Sequence, residues 1–344
     1  MTFPYNVYLA ATLSAAAVAF FSLPLWRKWC LATGLVDDPG ERKIHDQTIP
    51  LAGGLAVMTG LLVPALLGSV ALWWQGSHAA TPPGSYLTLR LAPLDQSVES
   101  LLLYGLNRRA VELTGIFLGA LGMLAVGWLD DKRELRPAAK FGGQLAVALL
   151  VSASGARITL FVPNIVFSHA VTILWLLTII NAFNFVDNMN GLCAGLGASG
   201  SWFFALAAAA GGQYLVALIA FLTFGALLGF LPHNFPRARA FLGDAGSHLV
   251  GYLLAVLAIL PHFYTPEHPR HRAVLIPLFV LALPLIDLAW VVLFRWRRGL
   301  PVYVGDNNHL SHQLVRQGFS RTLAVLMLWL AAALLGGMGC WLLM

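Results

Sequence analysis

SHAVTILWLLTIINAFNFVDNMNG, residues 168–191, is an apolar run that closes with amides and a carboxylate. Its apolar part, residues 168–186, is close to the roughly 20 residues that a helix needs to cross a bilayer. Similar runs recur along the chain, which is 58% hydrophobic and only 10% charged. Because a soluble domain carries about 25% charged residues, the sequence predicts a protein that crosses the membrane several times.

The spans are predicted to be helices. Lipid cannot satisfy backbone polar groups, so only helices or a closed barrel cross a bilayer, and the period-2 alternation of barrel strands is not seen in this sequence. We therefore expect an all-α bundle of about ten transmembrane helices in a single domain, residues 1–344. The predicted helices cover residues 5–26, 51–74, 111–129, 138–154, 168–186, 192–211, 213–231, 246–262, 272–295 and 321–343.

The charge distribution predicts the orientation. Fifteen of the 21 Lys and Arg residues fall in segments 27–50, 130–140, 232–245 and 295–321. By the positive-inside rule these segments face the cytoplasm and both termini face outward. Ten of the 15 carboxylates lie on that same side, which indicates an active site at the cytoplasmic membrane surface. The basic pI of about 9.5 is attributed to this loop bias and to anionic headgroups, and no nucleic-acid partner is expected.

Two carboxylate motifs lie on the predicted cytoplasmic side. Asp130 and Asp131 end the third predicted helix, where a divalent cation or the neighbouring Lys132 and Arg133 would offset their charge. A solvated helix end is the alternative. Asp244 is flanked by glycines at the start of the eighth helix, where free backbone N–H groups favour phosphate. An N-cap in a loop is the alternative for this residue.

Amides close the fifth predicted helix. Asn181, Asn184 and Asn188 are three and four residues apart and share a helical face, with Asp187 at its edge. Amide donors, amide acceptors and a carboxylate together suit a nucleotide or a hydrated metal ion. Hydrogen bonding between helices is the alternative.

A basic segment and a histidine segment are the remaining candidate functional motifs on the predicted cytoplasmic side. Arg42-Lys43-Ile44-His45 precedes the glycine-rich start of the second helix, an approach suited to an anion, or serves only as a positive-inside anchor. His309-Leu310-Ser311-His312 follows the basic run Arg295–Arg298, and its two histidines can donate to phosphate. Asp287 is the one acidic residue well inside a predicted span, so it is either functional or paired with a buried polar group.

Together these segments resemble the polyprenyl-phosphate N-acetylhexosamine-1-phosphate transferase family (glycosyltransferase family 4). The resemblance runs from about residue 35 to residue 319 and rests on the order, spacing and shared placement of the motifs. The segments 42–45 and 309–312 look most like the undecaprenyl-phosphate GlcNAc-1-phosphate transferase branch. The resemblance implies a bundle of ten or eleven helices with a cytoplasmic cleft, in the inner (plasma) membrane of a bacterium.

The resemblance also implies a reaction. N-acetylhexosamine 1-phosphate, in the first place GlcNAc-1-phosphate, would pass from a UDP-sugar to undecaprenyl phosphate, with release of UMP, to start a cell-envelope polysaccharide such as lipopolysaccharide. Mg²⁺, with Mn²⁺ as an alternative, would be held by Asp244, Asp187 and Asp131, and Asp130 would orient or deprotonate the acceptor. A homodimer is left open. The implied catalytic residues are Asp130, Asp131, Asp187, Asp244, His309 and His312, and the implied substrate-binding residues are Lys43, His45, Asn181, Asn184, Asn190 and Arg295.

Two motifs depart from the family pattern. The family usually reads Asp-Gly-x-Asp-Gly where this chain reads Asp187-Asn188-Met189-Asn190-Gly191, so its second Asp is Asn190 here. The late histidine motif usually has a third His where this chain has Ser311. These departures keep open an inactive family member that binds lipid-linked precursors. A secondary transporter is a further alternative, for which ionisable residues at mid-bilayer are expected.

Overall fold

The computed structural model describes residues 5–38, 47–78, 96–159, 162–261, 263, 271–301 and 308–342. Lys43 and His45, which we predict to bind phosphate, lie outside the described residues. All structural statements below concern the described ranges.

The regular secondary structure of the described residues is almost entirely helical. One antiparallel pair of two-residue strands, β1 (Val36–Asp37) and β2 (Ile49–Pro50), is the exception. The helices are α1 (Tyr5–Thr33), α2 (Gly53–His78), α3 (Gln96–Arg108), α4 (Ala110–Arg133), α5 (Pro137–Ala153), α6 (Ile165–Val186), α7 (Leu192–Ala210), α8 (Tyr214–Asn234), α9 (Gly243–Ile259), α10 (Ile276–Val280), α11 (Ala282–Arg297), α12 (Leu310–Arg316) and α13 (Arg321–Trp341).

The prediction of an all-α, multi-pass membrane protein is confirmed, and every predicted apolar run contains helix. Within the described ranges, seven helices are long and apolar enough to cross a membrane, and the bent pair formed by α10 with its preceding turn and α11 would make an eighth. The apolar helices α5 and α9 are shorter, at 17 residues each. At 1.5 Å per residue they measure about 26 Å, less than the roughly 30 Å of a hydrocarbon core. The count of ten spans stays a prediction.

The continuous helix predicted over residues 272–295 is wrong. A 3₁₀ turn, His271–Leu275, leads into α10, and α11 follows at an angle of 65°. Pro284 explains the break, because it has no N–H to donate to the carbonyl of Val280 and its ring crowds that carbonyl. The backbone bond from Leu281 to Pro277 and the bond from Leu285 to Leu281 flank the missing one.

Helix α9 lies at the centre of the bundle and packs against α2, α4, α6 and α7. Most of its side chains are buried. Glycine allows the close approach at its first turn: a Cβ on Gly127 of α4 would lie 2.3 Å from the carbonyl oxygen of Asp244, and one on Gly54 of α2 would lie 2.6 Å from the nitrogen of Gly246. The end of α4 and the start of α2 therefore contact the first turn of α9 directly.

The segment before α2 adds a second connection. The N–H of Phe241 donates to the carbonyl of Pro50 at 3.0 Å, and the N–H of Gly53 donates to the carbonyl of Phe241 at 2.9 Å. Strand β2 is thereby joined to the loop that leads into α9. The end of α4, strand β2 and the start of α2 therefore all contact the segment around Asp244.

Candidate active site

Five polar side chains meet where α4 and α6 end and where α5 and α9 begin. We call Asp130, Asp131, Lys140, Asn184 and Asp244 the carboxylate–lysine cluster. Its members come from four helices, and the ends that meet all carry residues of the predicted cytoplasmic side. The structure thus brings together residues of the motifs around 130, 184 and 244, and their roles stay predictions.

Lys140 bridges two of the carboxylates. Its Nζ lies 2.7 Å from Oδ2 of Asp130 and 3.3 Å from Oδ2 of Asp244, and it also donates to Oδ1 of Asn184 at 3.3 Å. The side chain of Asp130 is 9% exposed, and its other oxygen accepts from the N–H of Leu135 at 2.8 Å. Asp130 is therefore a buried carboxylate whose charge is offset by an ammonium group and a backbone donor.

Asp244 presents its carboxylate to the open part of the cluster. The side chain is 33% exposed, more than that of any other ionic partner in the cluster. Asn184 Nδ2 donates to Oδ1 of Asp244 in a short hydrogen bond and to Oγ of Ser247 at 3.0 Å. One oxygen thus faces an amide and the other faces Lys140, and neither caps the helix in which Asp244 lies.

Asp131 supplies the cap of α9. Its Oδ1 accepts from the N–H of Asp244 at 2.7 Å and its Oδ2 accepts from the N–H of Ala245 at 3.0 Å. A carboxylate at this position pairs two otherwise free N–H groups and complements the positive end of the helix dipole. The N-cap role considered for Asp244 is therefore filled by Asp131, which comes from α4.

Asp187 follows α6 and is half-buried. Burial, together with the nearby Asp244 and Asp131 carboxylates, raises the pKa of Asp187 to about 8. The three predicted metal ligands therefore lie close enough to disfavour one another's charge, which a cation would offset. Among the described residues, no three His, Cys, Asp or Glu side chains converge on a common point as ion ligands. Mg²⁺ usually takes one or two carboxylates, waters and substrate phosphates, so the donor chemistry fits this ion.

A second polar layer lies deeper in the bundle. Asn181 Nδ2 donates to Oε1 of Gln144 at 2.9 Å and to the carbonyl of Leu177 at 2.8 Å. Nε2 of Gln144 and Nε2 of His248 are 3.3 Å apart, and both side chains are buried. Asn181 therefore makes the interhelical hydrogen bond that was the alternative to binding a nucleotide or a metal ion, and it joins α6 through α5 to α9.

Asn190 lies in the turn between α6 and α7. Its Nδ2 donates to the carbonyl of Pro236 at 3.2 Å. Its neighbour Gly191 adopts φ +78° and donates its N–H to Oδ1 of buried Asn234 at 2.6 Å, while Asn234 donates to the carbonyl of Ala240 at 2.9 Å. The turn that carries Asn190 is thus fixed to the loop that leads into α9.

The histidine motif forms a separate group. Nδ1 of His309 lies 2.7 Å from Oδ2 of buried Asp287, whose Oδ1 accepts from the N–H of Leu310 at 2.7 Å. Of the two alternatives for Asp287, pairing with a polar group is confirmed. His309 and His312 have ring centroids 6.2 Å apart. Burial lowers the pKa of His312, and the neighbouring His309 and Arg316 add to this effect.

Arg295 is buried beside this group. Its guanidinium carbon lies 5.0 Å from the ring centroid of Phe185, and that ring stands edge-to-face with His309 at 6.1 Å. An arginine on an aromatic face next to a histidine suits recognition of an anion. The structure places Arg295 beside the histidine motif, and its predicted role in substrate binding stays a prediction.

Lys140, Gln144 and Ser247 were missed by the sequence interpretation. Lys140 was counted only as a loop cation. The signal for it was the i, i+4 spacing of Lys140 and Gln144 at the start of an otherwise apolar helix, which places both on one face. That face contacts α6 and α9.

The chain matches known proteins over most of its length. Residues 113–262 match the model of glycosyl transferase family 4. A probable undecaprenyl-phosphate N-acetylglucosaminyl 1-phosphate transferase of Bacillus subtilis is 29% identical over 89% of this chain and 77% of that protein. A decaprenyl-phosphate N-acetylglucosaminephosphotransferase of Mycobacterium tuberculosis is 31% identical over 92% of this chain and 78% of that protein.

An undecaprenyl-phosphate alpha-N-acetylglucosaminyl 1-phosphate transferase of Salmonella typhimurium is 28% identical, with 92% of this chain and 78% of that protein covered. These matches extend over the carboxylate–lysine cluster and the apolar helices around it. The chain belongs to glycosyl transferase family 4, the polyprenyl-phosphate N-acetylhexosamine-1-phosphate transferases, in the branch whose named members are undecaprenyl- and decaprenyl-phosphate GlcNAc-1-phosphate transferases.

Proposed function

We propose that this protein transfers GlcNAc-1-phosphate from UDP-GlcNAc to undecaprenyl phosphate and releases UMP. The observation that supports this most is the carboxylate–lysine cluster, in which three carboxylates and one ammonium group gather at the end of a bundle of apolar helices. Its position allows a charged nucleotide and a lipid phosphate to meet at the membrane surface. The relatives' names support a polyprenyl phosphate as the acceptor.

The proposed reaction needs little proton transfer. A phosphate monoester has a second pKa of about 6, so the lipid phosphate is largely ionised near neutral pH. One of its oxygens attacks the sugar-linked phosphorus of the UDP-sugar. A new P–O bond forms to the lipid, and the P–O bond to UMP breaks with its electron pair leaving on UMP. The protein must therefore mainly position two anions and offset their repulsion.

Lys140 and Asp130 would bind and orient the phosphate of the acceptor lipid. Asp130 holds the ammonium of Lys140 at 2.7 Å, and the same ammonium also faces the more exposed Asp244. A phosphate that approaches Asp244 would meet this cation. Asp130 would then orient the acceptor through Lys140, since its own oxygens already accept from Lys140 and from Leu135.

Asp244, Asp187 and Asp131 would hold the metal ion. Asp131 keeps its cap on α9 and faces the ion with its remaining lone pairs, while the exposed carboxylate of Asp244 is the best placed of the three. When bound, Mg²⁺ supplies positive charge that stabilises the diphosphate and the leaving UMP. Mn²⁺ has the same preference for oxygen ligands.

The remaining polar groups would hold the donor. His309, His312 and Arg295 present cationic or donor groups for phosphates, and Lys43 and His45 are proposed for the same task. Asn184 and Asn190 are the proposed uridine contacts, while Asn181 acts through Gln144. We place the site on the cytoplasmic face of the bacterial inner membrane, where the product would start a cell-envelope polysaccharide.

The test is exchange of labelled UMP into UDP-GlcNAc by purified protein with undecaprenyl phosphate, at several Mg²⁺ concentrations. We expect exchange that needs both the lipid and the metal and that falls about 100-fold or more in Asp244→Asn, because a metal's charge stabilisation is worth several kcal/mol. Glu112→Gln is the matched control, since Glu112 pairs with Arg109 near the opposite end of α4. A wild type that binds UDP-GlcNAc without exchange under any condition would establish the inactive alternative. Solute uptake by proteoliposomes would establish the transporter.

A further inference from the structure

A hydrogen bond joins the turn between α6 and α7, residues 187–191, to the histidine motif, residues 309–312. Ser311, which is 1% exposed, donates from Oγ to Oδ1 of Asn188 at 2.6 Å. The orientation of the Asn188 amide is fixed from its other end, because Nδ2 donates to the carbonyl of Phe185 at 2.9 Å. The acceptor that Ser311 meets is therefore set by the end of α6.

The two hydrogen-bonded residues each lie next to predicted site residues. Asn188 directly follows Asp187, and Ser311 stands between His309 and His312. Helix α12 has only seven residues, and a helix of that length has little stability of its own. Its first turn is anchored to α11 by Asp287, which binds both His309 and the N–H of Leu310. The Asn188–Ser311 hydrogen bond connects the same turn to the segment that follows α6.

Both residues occupy positions where this chain departs from the family pattern given above. That pattern has glycine at the position of Asn188 and histidine at the position of Ser311. The chain thus has an added side chain at one position and a shortened one at the other, and the two are in contact. A small cavity borders the pair, lined by Asn188, Asp287 and Ser311 together with leucines of α7, α11 and α13.

We infer that Asn188 and Ser311 are a coupled pair of positioning residues that fix the histidine motif relative to Asp187. The side chain of Asn188 takes part of the space that a ring at position 311 would need, and the Ser311 hydroxyl satisfies the amide oxygen that this side chain brings in. An unpaired buried amide oxygen or hydroxyl would be costly, so each residue requires the other. The effect on catalysis rests on the proposed function, whereas the coupling itself does not.

A double-mutant cycle tests the coupling. Asn188→Ala, Ser311→Ala and the double variant are compared with wild type by thermal unfolding and by the UMP exchange assay. Removing either partner should lower kcat/KM for UDP-GlcNAc about five- to tenfold, the effect of one buried hydrogen bond. We expect the change in KM to exceed the change in kcat, because the histidines are proposed to hold donor phosphates. The double variant should lose no more than the worse single variant.

Two further variants separate positioning from general loosening. Ser201→Ala is the matched control, because Ser201 is also fully buried but its hydroxyl donates only to carbonyls of its own helix. Its kcat/KM should stay within about twofold of wild type, as expected for a side chain away from the site. Ser311→His should be poorly active alone and should be partly rescued by Asn188→Gly in the same chain.

The inference would be overturned if the loss of kcat/KM in the double alanine variant equalled the combined losses of the two single variants. It would also be overturned if adding Asn188→Gly to Ser311→His did not raise the activity. If wild type shows no exchange, the proposed function fails but the unfolding cycle still decides the coupling. In that case a double variant whose loss of thermal stability equals the sum of the single losses overturns the pair, and a smaller loss supports it.

Discussion

Lys140→Met is the perturbation that most directly tests the cluster. The variant keeps the length of the side chain and removes the ammonium that lies 2.7 Å from Asp130 and 3.3 Å from Asp244. Asp130 is then a buried carboxylate without its cation, and Asp244 faces Asp130 and Asp131 without compensation. The rate of exchange should therefore fall, and the Mg²⁺ concentration that the reaction needs should rise.

The magnitude follows from these two distances. At an effective dielectric constant of about 20, unit charges at 2.7 and 3.3 Å attract by about 6 and 5 kcal/mol. Desolvation offsets much of this, and a hydrogen bond to a charged group contributes about 1.5–3 kcal/mol net. Because Asp244 is a third exposed, solvent weakens its interaction with Lys140. We therefore expect the two interactions of Lys140 to contribute about 2–4 kcal/mol in total. Because the same ammonium is proposed to face the acceptor phosphate, we expect a comparable loss of transition-state stabilisation, which is about 30- to 1,000-fold in rate.

The assay is UMP exchange across a Mg²⁺ titration. We expect Lys140→Met to lower kcat/KM by that factor and to raise the Mg²⁺ concentration at half-maximal rate, while Lys140→Arg keeps the charge and recovers part of the activity. Lys132→Met is the control, since exposed Lys132 lies over the Trp128 ring at 5.2 Å. A Lys140→Met variant with the wild-type rate and metal dependence would refute the electrostatic role of this residue.

Three further predictions concern the carboxylates and the orientation. Asp131→Asn can pair only one of the two N–H groups of α9 in the same way, so the free energy of unfolding should fall by about 1 kcal/mol; an unchanged thermal midpoint would contradict the cap. Because Asp187 has a pKa of about 8 and must lose its proton to bind a cation, the Mg²⁺ concentration at half-maximal rate should fall as pH rises through 8. A requirement that does not change with pH would argue against Asp187 as a ligand. A single cysteine beside Asp244 should resist an impermeant maleimide in intact cells, and labelling there would place the site outside.

The spans could be predicted from the sequence because lipid imposes a length on each apolar run. The break near Leu281 was also encoded, since Pro284 removes one backbone hydrogen bond, but apolar composition outweighed it in the interpretation. Helix α12 was not assigned as a helix, because seven residues between loops carry too little periodicity. Its position depends on contacts with Asp287 and Asn188, which lie far away in the sequence.

The site was predictable in its membership and not in its pairing. Dense polar residues at the ends of apolar helices pointed to Asp130, Asn184 and Asp244, because such groups need partners. Which partner each finds depends on how neighbouring helices are rotated about their axes. That rotation is set by side-chain packing and by close contacts such as Gly127 against Asp244. The contacts of Lys140 and the pairing of Asp287 with His309 therefore appear only in the structure.

The adjacent carboxylates show why pairing matters for function. Successive residues of an α-helix point about 100° apart, so Asp130 and Asp131 face different neighbours. Asp130 faces α5 and binds Lys140, whereas Asp131 faces α9 and binds two backbone N–H groups. Asp130 thus sets the position of the Lys140 ammonium, and Asp131 sets the position of the first turn of α9. Because Asp244 lies in the first turn of that helix, Asp131 determines where the proposed metal ligand stands, and Asp130 determines how much positive charge faces it.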